Sequence, residues 1–135
     1  MPFVLDASVT ISWAFPDEQN PIAVRAAQRL EHSSDSAVVP AIWWYEVRNV
    51  LLVNERRGRT TASRTANFLK EIADIDIVID SAQNDQLMLD LARQYGLTFY
   101  DAAYLALAVR EGLPLATLDK ALQAAALAAG IPLLA

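Results

Sequence analysis

Short apolar runs alternate with helix-length segments along the chain, and that alternation leaves few folds open. Pro2 to Asp6 is an apolar run ending in an acid and reads as a buried strand. Ala7 to Phe15 has near-helical spacing and is stopped by Pro16. Asn20-Pro21 supplies a cap and a proline for a helix reaching about Glu31. Ser36 to Val39 reads as a second strand, closed by Pro40. Ala41 to about Arg57 is helical, and Thr60 or Thr61 caps a further helix to about Ala73. Asp76 to Ile79 is strand-like, Ser81 to Tyr95 and Phe99 to Glu111 are helical, and Leu113 to Leu118 is an apolar strand. Lys120 to Ala129 is an alanine-rich helix, and Ile131 to Leu134 reads as a last strand. The chain has 4 glycines, Gly58, Gly96, Gly112 and Gly130, and each closes one of these helical patterns.

Strands alternating with helices imply an α/β fold with a mostly parallel sheet covered by helices on both faces. The helix-rich stretch from Ala41 to Ala73 is expected to form an αα-hairpin protruding from the sheet. The 135 residues suit a single domain over 1–135, and 54% hydrophobic composition is ample for a core. There is no cysteine, which excludes thiolate nucleophiles, zinc ribbons and iron–sulfur clusters. No basic region precedes an apolar run at the N-terminus and no apolar stretch is long enough to span a bilayer, so a cytoplasmic protein with no membrane association is expected. The net charge is −5, so the broad basic footprint of a non-specific nucleic-acid binder is missing. The single histidine, His32, lies in a polar stretch that reads as a loop. Carboxylates are left as the main chemical groups.

Four carboxylates fall where they can converge. Ligands of open α/β sheets bind at the carboxyl ends of the strands. Asp6 follows the first strand and Asp119 follows the strand from Leu113, so both belong to one sheet edge. Glu46 lies in Ile42-Trp43-Trp44-Tyr45-Glu46-Val47, where the flanking aromatics imply partial burial, and it shares a helix face with Asn49. Asp101 begins a helix that is apolar nearly all round and should be buried. Each acid also has a plain structural reading. Asp6 and Asp119 could cap helices, Asp101 could serve the helix dipole, and Glu46 could be an ordinary surface residue.

Clustering carries an energetic consequence. Two carboxylates about 5 Å apart repel by roughly 3 kcal/mol at an effective dielectric of 20. Four acids make six pairs, so the sum rivals the roughly 5–15 kcal/mol that holds a domain together. Such a cluster must take up protons or bind a cation. All-oxygen donors favour Mg²⁺ or Mn²⁺, and a hard ion with open positions suits phosphodiester hydrolysis.

Val4-Leu5-Asp6-Ala7-Ser8, Glu46 with Asn49, Tyr100-Asp101-Ala102-Ala103-Tyr104 and Thr117-Leu118-Asp119 together resemble a PIN domain. More narrowly, the chain resembles the VapC-like ribonuclease toxins of type II toxin–antitoxin pairs, over essentially all 135 residues. The resemblance implies a three-layer α/β/α sandwich and an Mg²⁺- or Mn²⁺-dependent endoribonuclease. It implies catalytic and metal-holding roles for Asp6, Glu46, Asp101 and Asp119, with Ser8, Asn49 and Thr117 supporting them. It further implies an RNA substrate, a cognate VapB-like antitoxin and a homodimer, and leaves the RNA unnamed. Leu122 departs from the family's habit of an aromatic residue there, which touches packing more than chemistry.

Other readings stay open on sequence alone. An aspartyl phosphotransferase would use Asp6 as nucleophile, but commonly places a second acid where Ser8 stands. A PIN-fold RNA-processing nuclease without an antitoxin, or a non-catalytic PIN-fold binding module, would carry the same pattern. Arg48, Arg56, Arg57, Arg59 and Arg64 crowd the hairpin and are expected either to form a solvated surface or a phosphate track toward the acids. The apolar stretch Ile42 to Tyr45 is expected to help seat an antitoxin.

Overall fold

The computed structural model describes residues 1–32 and 34–135. Four strands, β1 (Phe3–Leu5), β2 (Ala37–Pro40), β3 (Ile77–Asp80) and β4 (Leu115–Ala116), form one sheet in the order β3-β2-β1-β4, with every pairing parallel. The helices are α1 (Ala7–Ala14), α2 (Pro21–His32), α3 (Ile42–Arg56), α4 (Ala62–Ala73), α5 (Asp85–Tyr95), α6 (Phe99–Glu111) and α7 (Lys120–Ala128). They flank the sheet, as the alternation of elements implies.

β1 lies between two neighbours, and Phe3, Val4 and Leu5 are all fully buried, which is why its sequence is a continuous apolar run rather than an alternating one. α6 lies deep in the structure, with Ala102, Tyr104, Leu105, Ala106, Leu107 and Ala108 buried. α3 buries Trp43, Val47, Leu51 and Asn54, a spacing that keeps one face inward and leaves Trp44 and Tyr45 outside it. The Trp43 indole donates to Thr10 Oγ1 at 2.9 Å, joining α3 to α1. α5 and α6 both end on a glycine at φ 64°, where Gly96 and Gly112 each send a backbone N–H back to close the last turn.

Several boundaries differ from the sequence reading, each for a local reason. α5 begins at Asp85 rather than Ser81 because the Asn84 side chain accepts the Leu87 N–H at 3.0 Å and fixes the cap there. A short 3₁₀ turn, Pro16–Glu18, follows α1. His32 is the last residue of α2, exposed, and not a loop residue. The expected strand Ile131 to Leu134 reduces to one bridge, Leu133 beside Leu115. The Leu115 N–H bonds the Pro132 carbonyl at 3.0 Å and the Leu134 N–H bonds the Leu115 carbonyl at 2.9 Å. Pro132 has no N–H to carry the ladder further back. Of the three aromatics before Glu46, Trp43 is inside while Trp44 and Tyr45 are 43% and 65% exposed, and Glu46 itself is half-buried, as its setting implied.

Candidate functional site

A parallel sheet places the carboxyl ends of all its strands on one edge. Asp6 follows β1 there, and Thr117 and Asp119 follow the adjacent β4. Asp6 is only 6% exposed, and two hydroxyls converge on its Oδ2, from Ser8 at 2.6 Å and Thr117 at 2.7 Å. Both hydroxyls also accept a backbone N–H: Leu118 to Ser8 at 3.0 Å and Asp119 to Thr117 at 3.1 Å. With a lone pair occupied by the backbone, each hydroxyl proton is directed at the carboxylate. The β4–α7 turn is thus tied to Asp6 through two side chains, and Gln123 reinforces it by donating to the Thr117 carbonyl at 2.8 Å.

The other acids arrive on helices. Glu46, half-buried on α3, accepts the Tyr104 hydroxyl of α6 at 2.7 Å. Asp101 lies in the first turn of α6, where Thr98 caps the helix by accepting the Asp101 N–H at 3.1 Å. Asp119 caps α7, its Oδ1 accepting the Leu122 N–H at 3.1 Å, so the plain structural reading holds for this acid at least in part. Asp6 occupies the cap position of α1 without making a side-chain cap bond.

The four charges feel one another. Burial raises the Asp6 pKa, against the lowering effect of the Ser8 and Thr117 hydroxyls, and the charge of Asp119 raises it further. Burial likewise raises Glu46, opposed by Tyr104 and helped by the charges of Asp6 and Asp101. Asp101 is raised by burial and by the charges of Asp6 and Asp119, against its bonding with Thr98. No Lys or Arg appears among these influences. The Tyr104 hydroxyl is pushed far above its ordinary value by burial and by Asp6 and Glu46, so it remains a hydrogen-bond donor.

The acids are convergent but not closed around a point. Among the described residues, no group of three or more His, Cys, Asp or Glu side chains is already arranged to hold a metal ion. Glu46 is held to Tyr104 and Asp119 to the Leu122 N–H. The donor set itself fits a hard divalent cation, being all oxygen and mutually repelling, with no Lys or Arg bonded to it among the described residues.

The remaining expected site residues divide. Ser8 and Thr117 bond Asp6 directly. Asn49 is exposed on the Glu46 face of α3, and no hydrogen bond joins it to the acids among the described residues. Arg59 is taken up elsewhere, bonding Glu18 at 2.7 Å and Asn54 at 3.2 Å with its guanidinium over the Phe15 ring, so the five-arginine track loses this member. Arg48 lies over the Trp44 ring at 3.7 Å. Arg56, Arg57 and Arg64 are exposed and make no ion pair among the described residues. Arg56 stands ten residues beyond Glu46, or roughly 15 Å along the helix. The sequence reading gave Tyr104 and Thr98 no role, although Tyr104 lies one helical turn from Asp101; its partner, Glu46, is on another helix and no local pattern announces it.

The description "PIN domain" matches residues 3–127. The chain belongs to the PIN-domain family. It is 34% identical over 127 residues to a Pyrobaculum aerophilum protein named Ribonuclease VapC3, spanning 90% of this chain and 92% of that one. That places this PIN domain with the VapC-like members. A second protein of the same organism, named Exonuclease VapC9, is 36% identical over 80 residues, covering 59% of each chain. Among solved structures, the PIN domain's fold matches the crystal structure of PAE2754 from Pyrobaculum aerophilum with a TM-score of 0.72, at 24% identity over 93% of this chain and 84% of that one. It also matches a chain from a toxin–antitoxin complex of Klebsiella pneumoniae with a TM-score of 0.54, at 20% identity over 84% and 82% of the two chains. No helix among the described residues is long and apolar enough to cross a membrane.

Proposed function

We propose that this PIN domain, a single unit over residues 1–135, is an Mg²⁺- or Mn²⁺-dependent endoribonuclease acting as the toxin of a toxin–antitoxin pair. The observation that carries the reading is the convergence of Asp6, Glu46, Asp101 and Asp119 at one sheet edge, electrically coupled and without a basic counter-charge. The named relatives support it: one is called a ribonuclease, and a toxin–antitoxin complex contains a similar fold.

Asp6, Glu46, Asp101 and Asp119 would hold the cation. When bound, such an ion polarises a phosphate oxygen and lowers the pKa of its water. Asp6 is the fixed member, aimed by Ser8 and Thr117. Glu46 is oriented by Tyr104. Asp101 is placed by the Thr98 cap. Asp119 is exposed and released by breaking one cap bond, which gives it freedom to meet substrate or solvent. A VapB-like antitoxin would inhibit by presenting Arg or Lys to these acids, since charge-assisted bonds to carboxylates are strong. The active form is a homodimer in the cytoplasm, on this reading.

The test is cleavage of total RNA by the purified protein with Mn²⁺, with cut sites mapped, alongside Asp6→Asn. Loss of cutting in the variant is expected, and near-full activity would refute the assignment. The relative named an exonuclease favours a second reading, end-directed degradation. A circular RNA separates the two, because only an endonuclease opens it.

A further inference from the structure

A cavity of about 300 Å³ opens between the start of α3, the β3–α5 connection, α5 and α6. Its floor is apolar, built from Ile42, Leu87, Met88 and Ala103. Two aromatic walls are Tyr45 and Tyr100, 65% and 59% exposed. Each immediately precedes one of the acids, Tyr45 before Glu46 and Tyr100 before Asp101, so two helices carry both a cavity wall and an acid, while none of the four acids lines the cavity itself.

Charge says which part of a nucleotide this cavity suits. Arg110 is the only Lys or Arg among the residues lining it, and it bonds Asp80 at 2.5 Å and Glu111 at 3.1 Å. Asp85 also lines the cavity. A phosphate would find no free cation here and two acids nearby. A planar uncharged ring would find aromatic faces and an apolar floor, and base–aromatic stacking contributes to single-strand binding for every base. The rim adds amides. Gln83 lines the cavity, is exposed and makes no hydrogen bond among the described residues, and it offers both a donor and an acceptor. Asn84 spends its carbonyl oxygen on the helix cap and keeps its NH₂. Outside the cavity the aromatic surface continues, with the Trp44 ring edge-on to Tyr45 at 5.4 Å and Arg48 over Trp44. An exposed aromatic surface running into a cavity with aromatic walls, on the helices that carry Glu46 and Asp101, matches single-stranded RNA.

We propose that this cavity receives one unpaired base of the RNA next to the scissile phosphate, stacked against Tyr100 and Tyr45, with Gln83 reading its edge. The inference rests on the ribonuclease reading above and adds to it the origin of sequence preference. A dimer contact or an antitoxin side chain is the competing occupant.

The experiment uses the full chain and short single-stranded RNAs spanning a mapped cut site, each base in turn replaced by an abasic nucleotide. One position should be sensitive, losing roughly 10-fold or more in kcat/KM, the size expected of one stacked base. Tyr100→Ala, and independently Tyr45→Ala on the other helix, should erase that sensitivity, while Tyr100→Phe keeps it. Gln83→Ala should narrow the ratio between preferred and disfavoured bases. A readout free of cleavage is the fluorescence of 2-aminopurine placed at the sensitive position with Ca²⁺ in place of Mn²⁺: quenched by wild type and by Tyr100→Phe, unquenched by Tyr100→Ala. Retention of the base preference and the abasic penalty in both alanine variants overturns the proposal. So does a change in sedimentation mass with an unaltered cleavage pattern, which would make the cavity a protein contact. Failure of wild type to cut any RNA with Mn²⁺ or Mg²⁺ is a different result, and removes the ribonuclease reading with this inference.

Discussion

Thr117→Val keeps the shape of a buried side chain and deletes one hydroxyl. In the native protein that hydroxyl donates to Asp6 Oδ2 at 2.7 Å and accepts the Asp119 N–H at 3.1 Å. Thr117 is 1% exposed and Asp6 6%, so water cannot easily replace either bond. A hydrogen bond to an ionised group contributes about 1.5–3 kcal/mol. For a domain of this length that is roughly 5–15 °C in melting temperature. The loss should depend on pH. Burial holds the Asp6 pKa above its ordinary value of 3.8 despite two hydroxyl donors. A raised carboxylate gives its stability contribution fully below the unfolded pKa and loses it as pH rises through the folded one. Removing a donor to the ionised form raises the folded pKa again, so the penalty should be small in acid and grow as pH rises through that value.

The assay is a series of thermal melts in chelator, from mildly acidic to mildly alkaline pH, for wild type, Thr117→Val and Thr117→Ser. The serine variant restores the hydroxyl and should recover most of the loss. A Thr117→Val penalty that is flat with pH would mean that the hydroxyl supports only the turn through Asp119. Equal melting of valine variant and wild type at neutral pH would refute the argument that the Thr117 hydroxyl stabilises the fold through Asp6.

Three further outcomes follow from the same geometry. Asp101→Asn should abolish metal-dependent cleavage yet leave the chelated protein at least as stable as wild type at neutral pH, because its raised pKa comes from burial and from Asp6 and Asp119; a clearly lower melting temperature in chelator would make Asp101 a structural cap first. Tyr104→Phe removes the donor to Glu46 and should weaken Mn²⁺ binding by roughly 10-fold or more, the usual cost of losing an outer partner of a ligand, with calorimetric titration as the check. Replacing Arg56 and Arg57 together with Gln should flatten the salt dependence of RNA binding by roughly 1.4 in slope if both touch phosphate, whereas the same change at Arg59 should chiefly lower stability, since Arg59 already bonds Glu18.

The parts of this architecture that were legible in the sequence are those set by neighbours in the chain. β1 announces itself as an unbroken apolar run because it is buried on both faces, and Gly96 and Gly112 mark helix ends because the backbone there is left-handed. The position of Asp6 and Asp119 on one edge follows from parallel strands alone. What was not legible depends on contacts distant in sequence. Tyr104 reaches Glu46 across 58 positions, and Arg59 reaches Glu18 across 41. The exposure of Trp44 and Tyr45 follows from the spacing of Trp43, Val47 and Leu51, which fixes the inner face of α3.

The acids also show how a fold can keep a repulsive cluster without dissolving it. Each carboxylate is met by a neutral donor: Asp6 by Ser8 and Thr117, Glu46 by Tyr104, Asp101 by Thr98, Asp119 by the Leu122 N–H. Neutral donors favour the ionised forms without cancelling their charge, and burial first, with repulsion between the acids behind it, keeps the pKa values raised at Asp6, Glu46 and Asp101. A buried arginine in their place would cancel the charge at its own desolvation cost and would also occupy the site. Tyr104 and the Leu122 N–H thus orient Glu46 and Asp119 without neutralising them, which leaves their charge available to a cation.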